Sequence, residues 1–297
     1  MKVLLSLSYD GSLFKGWQKQ LQEASVQETL EKLLSNLFKE SISLQSSGRT
    51  DAGVHAFNQI AHFSLPKMIS LSCDFPDLSK FQKVENTNAF KILLNLLKVA
   101  KKKCPKNIQI KKAFLVDDDF HALRSAVDKT YTYFISSETT PFNSSQIYNI
   151  GVESFTYLKK NIHILQQLAA TLIGEKDFKS FQNTGTPVKN TVRNIFESSW
   201  QIQKTTPPQI APISLLGAPA EYLEFNITGN GFLKQMVRNI VGCQLYLIQK
   251  KSEPLKHLQS IIEQASTQKI FAPAPPQGLY LRKINYPASL DKFPLKI

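Results

Sequence analysis

The fold is decided by the stretch Val3-Leu4-Leu5-Ser6-Leu7-Ser8-Tyr9 and by the segment that follows it. Apolar side chains alternate along this stretch, which predicts an opening strand with one buried face. Ser25-Val26-Gln27-Glu28 then has the form of a capping box. In this motif the serine side chain accepts a hydrogen bond from the third helical N–H, and the glutamate side chain accepts one from the backbone N–H of the serine. Apolar residues recur at helical spacing as far as Leu37, so a helix is predicted over 26–38.

The remaining chain continues to mix strands and helices. Strand patterns occupy 60–65, 108–116, 130–136, 222–228 and 279–281. Helix patterns occupy 90–97, 153–173 with Gly174 as C-cap, 232–245 after a Gly229-Asn230-Gly231 turn, and 255–265. Between them lie a lysine-rich stretch at 66–107, a linker at 139–149 and a proline-rich loop at 204–219. This order predicts an α+β protein with a duplicated ferredoxin-like topology.

Composition indicates a folded protein with a polyanionic partner. Of the 297 residues 42% are apolar, enough for a sizeable core, so intrinsic disorder and fibrous repeats are excluded. The formal net charge is +13, which favours nucleic acid over an anionic membrane surface. A merely solubilising surface is the alternative, and Lys101-Lys102-Lys103 is more typical of a solvated face than of a binding patch.

The three cysteines predict neither disulfides nor zinc. Cys73, Cys104 and Cys243 are odd in number and far apart, and neither a CxxC motif nor a histidine at ligand spacing accompanies them. The first residues lack the pattern of a signal peptide, and 18 uncharged apolar residues never occur in a row. We therefore expect a soluble, intracellular protein in a reducing cytoplasm, without a metal.

The loop Gly48-Arg49-Thr50-Asp51-Ala52-Gly53-Val54-His55 is the first candidate for chemistry. Residues two apart in an extended segment point to the same side, so Arg49 and Asp51 are candidates for one pocket. A cation beside a carboxylate favours the ionised form, which serves as a nucleophile or an acid–base group. The alternative is an ordinary turn, in which Asp51 bonds its own backbone and Arg49 pairs on the surface.

Two further candidates lie on predicted regular elements. The ring of Tyr131 is able to stack on a nucleobase, or it belongs to the core of its strand. Arg238 lies on an apolar helix, where it needs a carboxylate partner or reaches out to water. Motifs of the GxGxxG, Walker and GxSxG types are absent, as are the aromatic signatures of RNA-recognition motifs, so the sequence favours none of those classes.

Taken together, these motifs resemble one enzyme family, the tRNA pseudouridine synthase A (TruA) family. The blocks occur in the family's order and cover nearly the whole chain. They are Tyr9-Asp10-Gly11, 14–20, 25–28, 48–55, Phe120-His121-Ala122, Tyr131-Thr132-Tyr133, Asp177-Phe178 with Phe181, 231–233, 236–242 and 278–281.

The resemblance implies a role for each candidate. Asp51 matches the catalytic aspartate, Tyr131 the tyrosine that packs on the target uracil, and Arg49 the arginine linked to base extrusion. Arg238 matches the arginine paired with the aspartate, and Leu279 an apolar residue lining the pocket. The family isomerises uridine to pseudouridine at positions 38, 39 and 40 of the tRNA anticodon stem-loop. It acts as a homodimer, without cofactor or metal.

The resemblance also implies an architecture. It is the pseudouridine synthase fold: two ferredoxin-like (RRM-like) halves joined through a mostly antiparallel sheet, with helices on one side. Residues 1–112 would carry the catalytic loop, and 113–297 would complete an RNA-binding cleft. Two positions depart from the family's pattern: Leu123 follows Phe120-His121-Ala122 where the family usually has arginine, so that Arg124 comes one residue later, and Lys176 stands where histidine is common.

The sequence is compatible with more than one mechanism and with more than one function. A carboxylate nucleophile is compatible with attack at C6 of the base or at C1′ of the ribose, and the base that removes the C5 proton is not identified. A basic RNA-binding protein with a vestigial loop is the alternative from another class. A pseudouridine synthase acting at other RNA sites is the third interpretation.

Overall fold

A computed structural model describes residues 1–21, 23–70, 87–183, 190–204, 221–290 and 292–297. The chain divides into two compact units: residues 1–127 with 283–297, and residues 128–282. The sequence placed the boundary between halves after residue 112, which lies inside a strand, whereas the compact units divide after Val127. In the described residues, no helix combines the length and apolarity needed to cross a membrane.

The first unit is a sheet with two long helices. The strands are β1 (Lys2–Tyr9), β2 (Gln45–Ser46), β3 (His55–Ser64), β4 (Ile108–Val116) and β11 (Phe293–Leu295). They lie in the order β11-β4-β1-β3-β2, with antiparallel neighbours throughout. The helices are α1 (Val26–Phe38), α2 (Lys67–Ser70) and α3 (Asn88–Lys103). The capping box is confirmed, because the Ser25 hydroxyl accepts from the Glu28 N–H at 3.2 Å.

The second unit repeats this design with additions. Its strands are β5 (Asp128–Ser136), β6 (Tyr148–Asn149), β7 (Gly174–Asp177), β8 (Val192–Gln203), β9 (Tyr222–Gly229) and the start of β10 (Leu279–Asn285). They lie in the order β10-β5-β9-β8-β7, and β6 pairs in parallel with β5. The helices are α4 (Val152–Lys160), α5 (Ile162–Ala170), α6 (Met236–Lys250) and α7 (Pro254–Gln264).

Each unit contains a β-α-β-β-α-β series. In the first unit β1, β2, β3 and β4 are its four strands, and in the second they are β5, β8, β9 and β10. Both series have the same order in the sheet, with the fourth strand beside the first and the third between the first and the second. The α+β class and the mostly antiparallel pairing are confirmed, and the repeated order is that of a duplicated ferredoxin-like topology.

Four local predictions were wrong. The helix predicted over 153–173 is two helices, because Asn161 leaves the helical conformation at φ −106°, ψ 26°. Gly174 does not cap a helix but begins β7. The helix predicted from Phe232 begins only at Met236, after a left-handed residue at 235. The linker at 139–149 includes β6, while the predicted loop at 204–219 lies almost wholly outside the described residues.

Candidate active site

The loop that carries Asp51 is fixed by backbone hydrogen bonds on both sides of the aspartate. The Trp17 N–H donates to the Thr50 carbonyl at 3.0 Å, and the Gly53 N–H donates to the Phe14 carbonyl at 3.3 Å. Residues 14–17 therefore pair with residues 50–53 through backbone hydrogen bonds that run in both directions. The backbone position of Asp51 is therefore set before its side chain meets any substrate.

Two glycines make this close approach possible. A Cβ on Gly11 would lie 2.0 Å from the Val54 carbonyl oxygen, which is far inside van der Waals contact. Gly16 has φ +97°, and a Cβ there would lie 2.6 Å from the Thr50 carbonyl oxygen. Any other residue at these positions would push the segment 11–17 away from the loop. This is the physical reason for the glycines in two of the blocks that carry the family resemblance.

Beneath the loop lies a buried polar network. The Tyr9 hydroxyl and Thr50 Oγ1 are 2.9 Å apart, and Gln59 Nε2 donates to the Gly48 carbonyl at 2.8 Å. The Ser47 hydroxyl donates to Gln59 Oε1 at 2.6 Å. Burial raises the pKa of Tyr9 to about 12, so this phenol stays neutral and acts as a hydrogen-bonding group and not as a base. Satisfied buried networks of this kind rigidify the segment that they contact.

A contact between Asp10 and His55 closes the network beside the 3₁₀ turn at Gly11–Leu13, and His55 Nδ1 also accepts from the Gly11 N–H at 3.1 Å. Asp10 Oδ1 lies 3.1 Å from His55 Nδ1 and accepts from the Ser12 N–H at 2.9 Å. Burial by itself would raise the pKa of Asp10, but these hydrogen bonds outweigh it and hold that pKa well below its usual range. Asp10 is therefore a structural carboxylate, which leaves Asp51 as the carboxylate of the loop itself.

Arg49 and Asp51 differ in exposure. Arg49 is exposed, whereas Asp51 is half-buried and its backbone carbonyl accepts from the Val54 N–H at 3.1 Å. The segment 51–54 is thus a turn, as the structural alternative expected. The hydrogen bonds around the turn fix the backbone of Asp51. The long cationic side chain of Arg49 lies at the surface, where it is accessible to a binding partner.

In the second unit, Tyr131 lies on β5 and is 7% exposed. Its ring packs edge-to-face on Phe232, with 5.1 Å between centroids. Phe232 follows the turn after β9, so the end of that strand supplies one wall beside the tyrosine. Lys129 lies two residues before Tyr131 and therefore shares its face of the strand.

Arg238 lies in the first turn of α6 and is held by the chain that precedes β10. Its Nε donates to the Ala274 carbonyl at 2.7 Å, while the Ala274 N–H donates to the Arg238 carbonyl at 2.9 Å. The chain before β10 thus holds the Nε end of a half-buried guanidinium. Leu279 begins β10 and is 5% exposed.

The five predicted residues are divided between the units: Arg49 and Asp51 belong to the first, and Tyr131, Arg238 and Leu279 to the second. Sequence reasoning missed the residues that support the loop, above all Thr50 and Gln59. Gln59 carried no usable signal, because a single buried glutamine in a strand has no pattern. Thr50 was inside the quoted loop, but nothing in the sequence pairs it with Tyr9.

Comparison with known proteins identifies the class to which this fold and loop belong. The sequence model of the family described as tRNA pseudouridine synthase matches residues 168–287. A protein named tRNA pseudouridine synthase A from Bdellovibrio bacteriovorus is 41% identical over 98% of this chain and 97% of its own length. Proteins of the same name from Bacillus subtilis (34%, 96% of this chain, 99% of the relative) and Chlamydia trachomatis serovar A (34%, 98% and 94%) are also similar.

The class is therefore that of the pseudouridine synthases, which are RNA-modifying isomerases. Within it, this chain belongs to the tRNA pseudouridine synthase A family. Membership supports the isomerisation of uridine to pseudouridine in tRNA, and it confirms the resemblance deduced from the motifs.

Proposed function

We propose that this enzyme converts uridine to pseudouridine at positions 38, 39 and 40 of the tRNA anticodon stem-loop, with Asp51 as the nucleophile. The observation that carries the proposal is the Asp51 loop, whose backbone is fixed on both sides and whose supporting glycines tolerate no side chain. A nucleophile must be held in place for its attack to be efficient. The family resemblance supplies the tRNA positions.

Binding begins with the phosphate backbone. A net charge of +13 favours a nucleic acid, and the attraction weakens as salt rises. A uridine in a stem must leave the stack before its glycosidic bond is accessible, which costs a few kcal/mol. In this proposal the exposed side chain of Arg49 fills the gap that the flipped uridine leaves in the RNA stack. The ring of Tyr131 is the surface on which the flipped base stacks. The Phe232 ring against Tyr131 supports this role, because it fixes the orientation of the platform.

The chemistry rearranges one nucleotide without adding or removing atoms. The Asp51 carboxylate attacks C1′ of the ribose or C6 of the base, and the bond between N1 and C1′ breaks. The uracil then turns and forms a bond between C5 and C1′, and the bond from Asp51 to C1′ or C6 breaks, which restores the free carboxylate. The C5 proton leaves and N1 gains one, so the product is an isomer of the substrate. Arg238 is the cation that the family resemblance pairs with the aspartate.

The resemblance also implies the setting. We propose that the enzyme acts as a homodimer in the cytoplasm, without a cofactor. These statements depend on the family resemblance alone.

The test is tritium release from tRNA labelled with [5-³H]uridine, followed by mapping of the modified positions. Wild-type enzyme should release tritium and modify positions 38, 39 and 40. Asp51→Asn should abolish release while tRNA binding stays within a few fold, because the amide keeps the shape but is a poor nucleophile. Asp119→Asn, at an exposed aspartate of the same unit, is the matched control and should keep full activity. Full activity in Asp51→Asn would refute the assignment.

A further inference from the structure

Two cations, Lys129 and Arg193, lie near each other at one end of the second unit's sheet, and among the described residues neither forms an ion pair with a carboxylate. Lys129 begins the face of β5 that carries Tyr131, and it is opposite Gly229 of β9. Gly229 is in turn opposite Ile195 of β8, and Arg193 lies two residues before Ile195 on the same side of the sheet. Lys129 and Arg193 therefore lie on the same face of the sheet, to either side of Gly229, where Ile195 Cδ1 and the Phe232 ring pack over the glycine.

Lys129 differs from an ordinary surface lysine in its burial and in the charge of its neighbour. Lys129 is buried, since only 8% of the residue is exposed. In the described part of the chain neither Lys129 nor Arg193 forms an ion pair with a carboxylate. Burial, followed by the like charge of Arg193, lowers the pKa of Lys129 to about 8. A buried charge that faces a like charge is unfavourable unless an anion joins it.

The contacts of Arg193 place its guanidinium at the turn after β9. One of its terminal nitrogens donates to the Asn190 and Val192 carbonyls, at 3.0 and 2.6 Å. Its Nε lies 3.5 Å from where a Cβ of Gly231 would stand, so the guanidinium packs against the turn after β9. These contacts use only one side of the guanidinium. The remaining N–H groups are the kind of planar donor set that binds a phosphate.

We propose that Lys129 and Arg193 form a phosphate subsite that holds the RNA backbone next to the nucleotide on Tyr131. Residues two apart on a strand are about 7 Å apart, a distance that a ribose spans between a stacked base and its phosphate. The subsite rests on the proposed function, because it takes Tyr131 as the stacking surface. It adds a backbone contact within the same strand, which sets the register of the nucleotide on the ring.

The test replaces single phosphates of an anticodon stem-loop by neutral methylphosphonates, at each position around the target uridine. Dissociation constants are measured by fluorescence anisotropy in the Asp51→Asn background, so that the RNA is not converted. One methylphosphonate next to the uridine should weaken binding about 10-fold. Lys129→Met and Arg193→Met should each weaken binding of the unmodified RNA about 10-fold and show no further loss with that methylphosphonate.

Two controls separate charge at this place from charge in general. Lys129→Arg keeps the cation and should keep both the affinity, within about 3-fold, and the methylphosphonate sensitivity. Lys256→Met removes an exposed cation of the same unit and should keep both as well. The proposal is wrong if the loss of affinity in the variants adds to the loss from the methylphosphonate at every position. It is also wrong if inorganic phosphate competes with RNA at this site while none of the methylphosphonates changes the affinity. Absence of tritium release by wild-type enzyme would instead overturn the proposed function, whatever the binding data show.

Discussion

Replacing Lys129 by methionine should stabilise the protein. Lys129 is 8% exposed, and burial together with Arg193 lowers its pKa from the ordinary 10.5 to about 8. One pKa unit corresponds to about 1.4 kcal/mol, so the charged amine destabilises the fold at pH 7 by about 3 kcal/mol. Methionine has a similar length and no charge. We therefore expect Lys129→Met to raise the free energy of unfolding by about 3 kcal/mol at pH 7.

The effect should depend on pH in one direction. Below about pH 8 the amine is charged in both states, and the folded protein bears the full penalty. Between about pH 8 and the ordinary lysine pKa near 10.4 the unfolded chain binds more protons than the folded one. The stability of the wild type consequently rises through this range relative to that of the variant. The advantage of Lys129→Met should shrink above about pH 8 and vanish above about pH 10.4.

Urea unfolding at pH 7 and at pH 10.5 measures both quantities. Trp200 is 1% exposed and reports on the second unit, provided that Trp17→Phe is present in every protein compared. Lys256→Met, at an exposed lysine, should change stability by less than about 0.5 kcal/mol. A Lys129→Met protein that is less stable than wild type at pH 7, or whose advantage is the same at both pH values, would refute the reasoning.

Three further outcomes follow from the contacts around the candidate site. Tyr131→Phe keeps the ring, so KM for tRNA should stay within about 3-fold while kcat falls; an unchanged kcat would limit the residue to packing. Gly11→Ala places a Cβ 2.0 Å from the Val54 carbonyl oxygen and should lower stability by about 2 kcal/mol or more in thermal unfolding, whereas Gly231→Ala, with neighbours from 3.5 Å, should not. Asp10→Asn should lower stability by about 1–2 kcal/mol at pH 7. Because the pKa of Asp10 is held well below its usual range in the fold, this difference should begin to shrink only as pH falls below about 4 and should vanish once pH falls through that lowered pKa. A difference that does not shrink at all between about pH 4 and pH 2 would contradict it.

Sequence patterns predicted elements wherever one face of an element is buried and the other is solvated. The helix over 26–38 and the strand over 108–116 were predicted to the residue, because each has a single apolar face and a clear start. β8 was missed, since its alternation breaks at a bulge between Ile195 and Glu197 and it exposes Phe196. The break at Asn161 was missed because the apolar stripe continues through both helices.

The sequence predicted only those site residues that belong to recognisable motifs. Asp51 and Arg49 came from a loop of unusual composition, and Tyr131 and Arg238 from the resemblance as much as from chemistry. The support for the loop depends on contacts distant in sequence, such as Tyr9 with Thr50 across 41 residues. Periodicity carries no information about such pairs, so the role of Gln59 and the need for Gly11 became visible only in the structure.

Lys129 links stability to function in a way that separates the proposed subsite from a structural role. A lysine kept for packing would lose stability when replaced, and RNA binding would weaken only as a result of that loss. A lysine kept for an anion shows the opposite pattern, because the free protein bears an unbalanced charge that the phosphate neutralises on binding. A Lys129→Met protein that is more stable yet binds RNA more weakly would assign the buried charge to recognition, and the reverse combination would assign it to the fold.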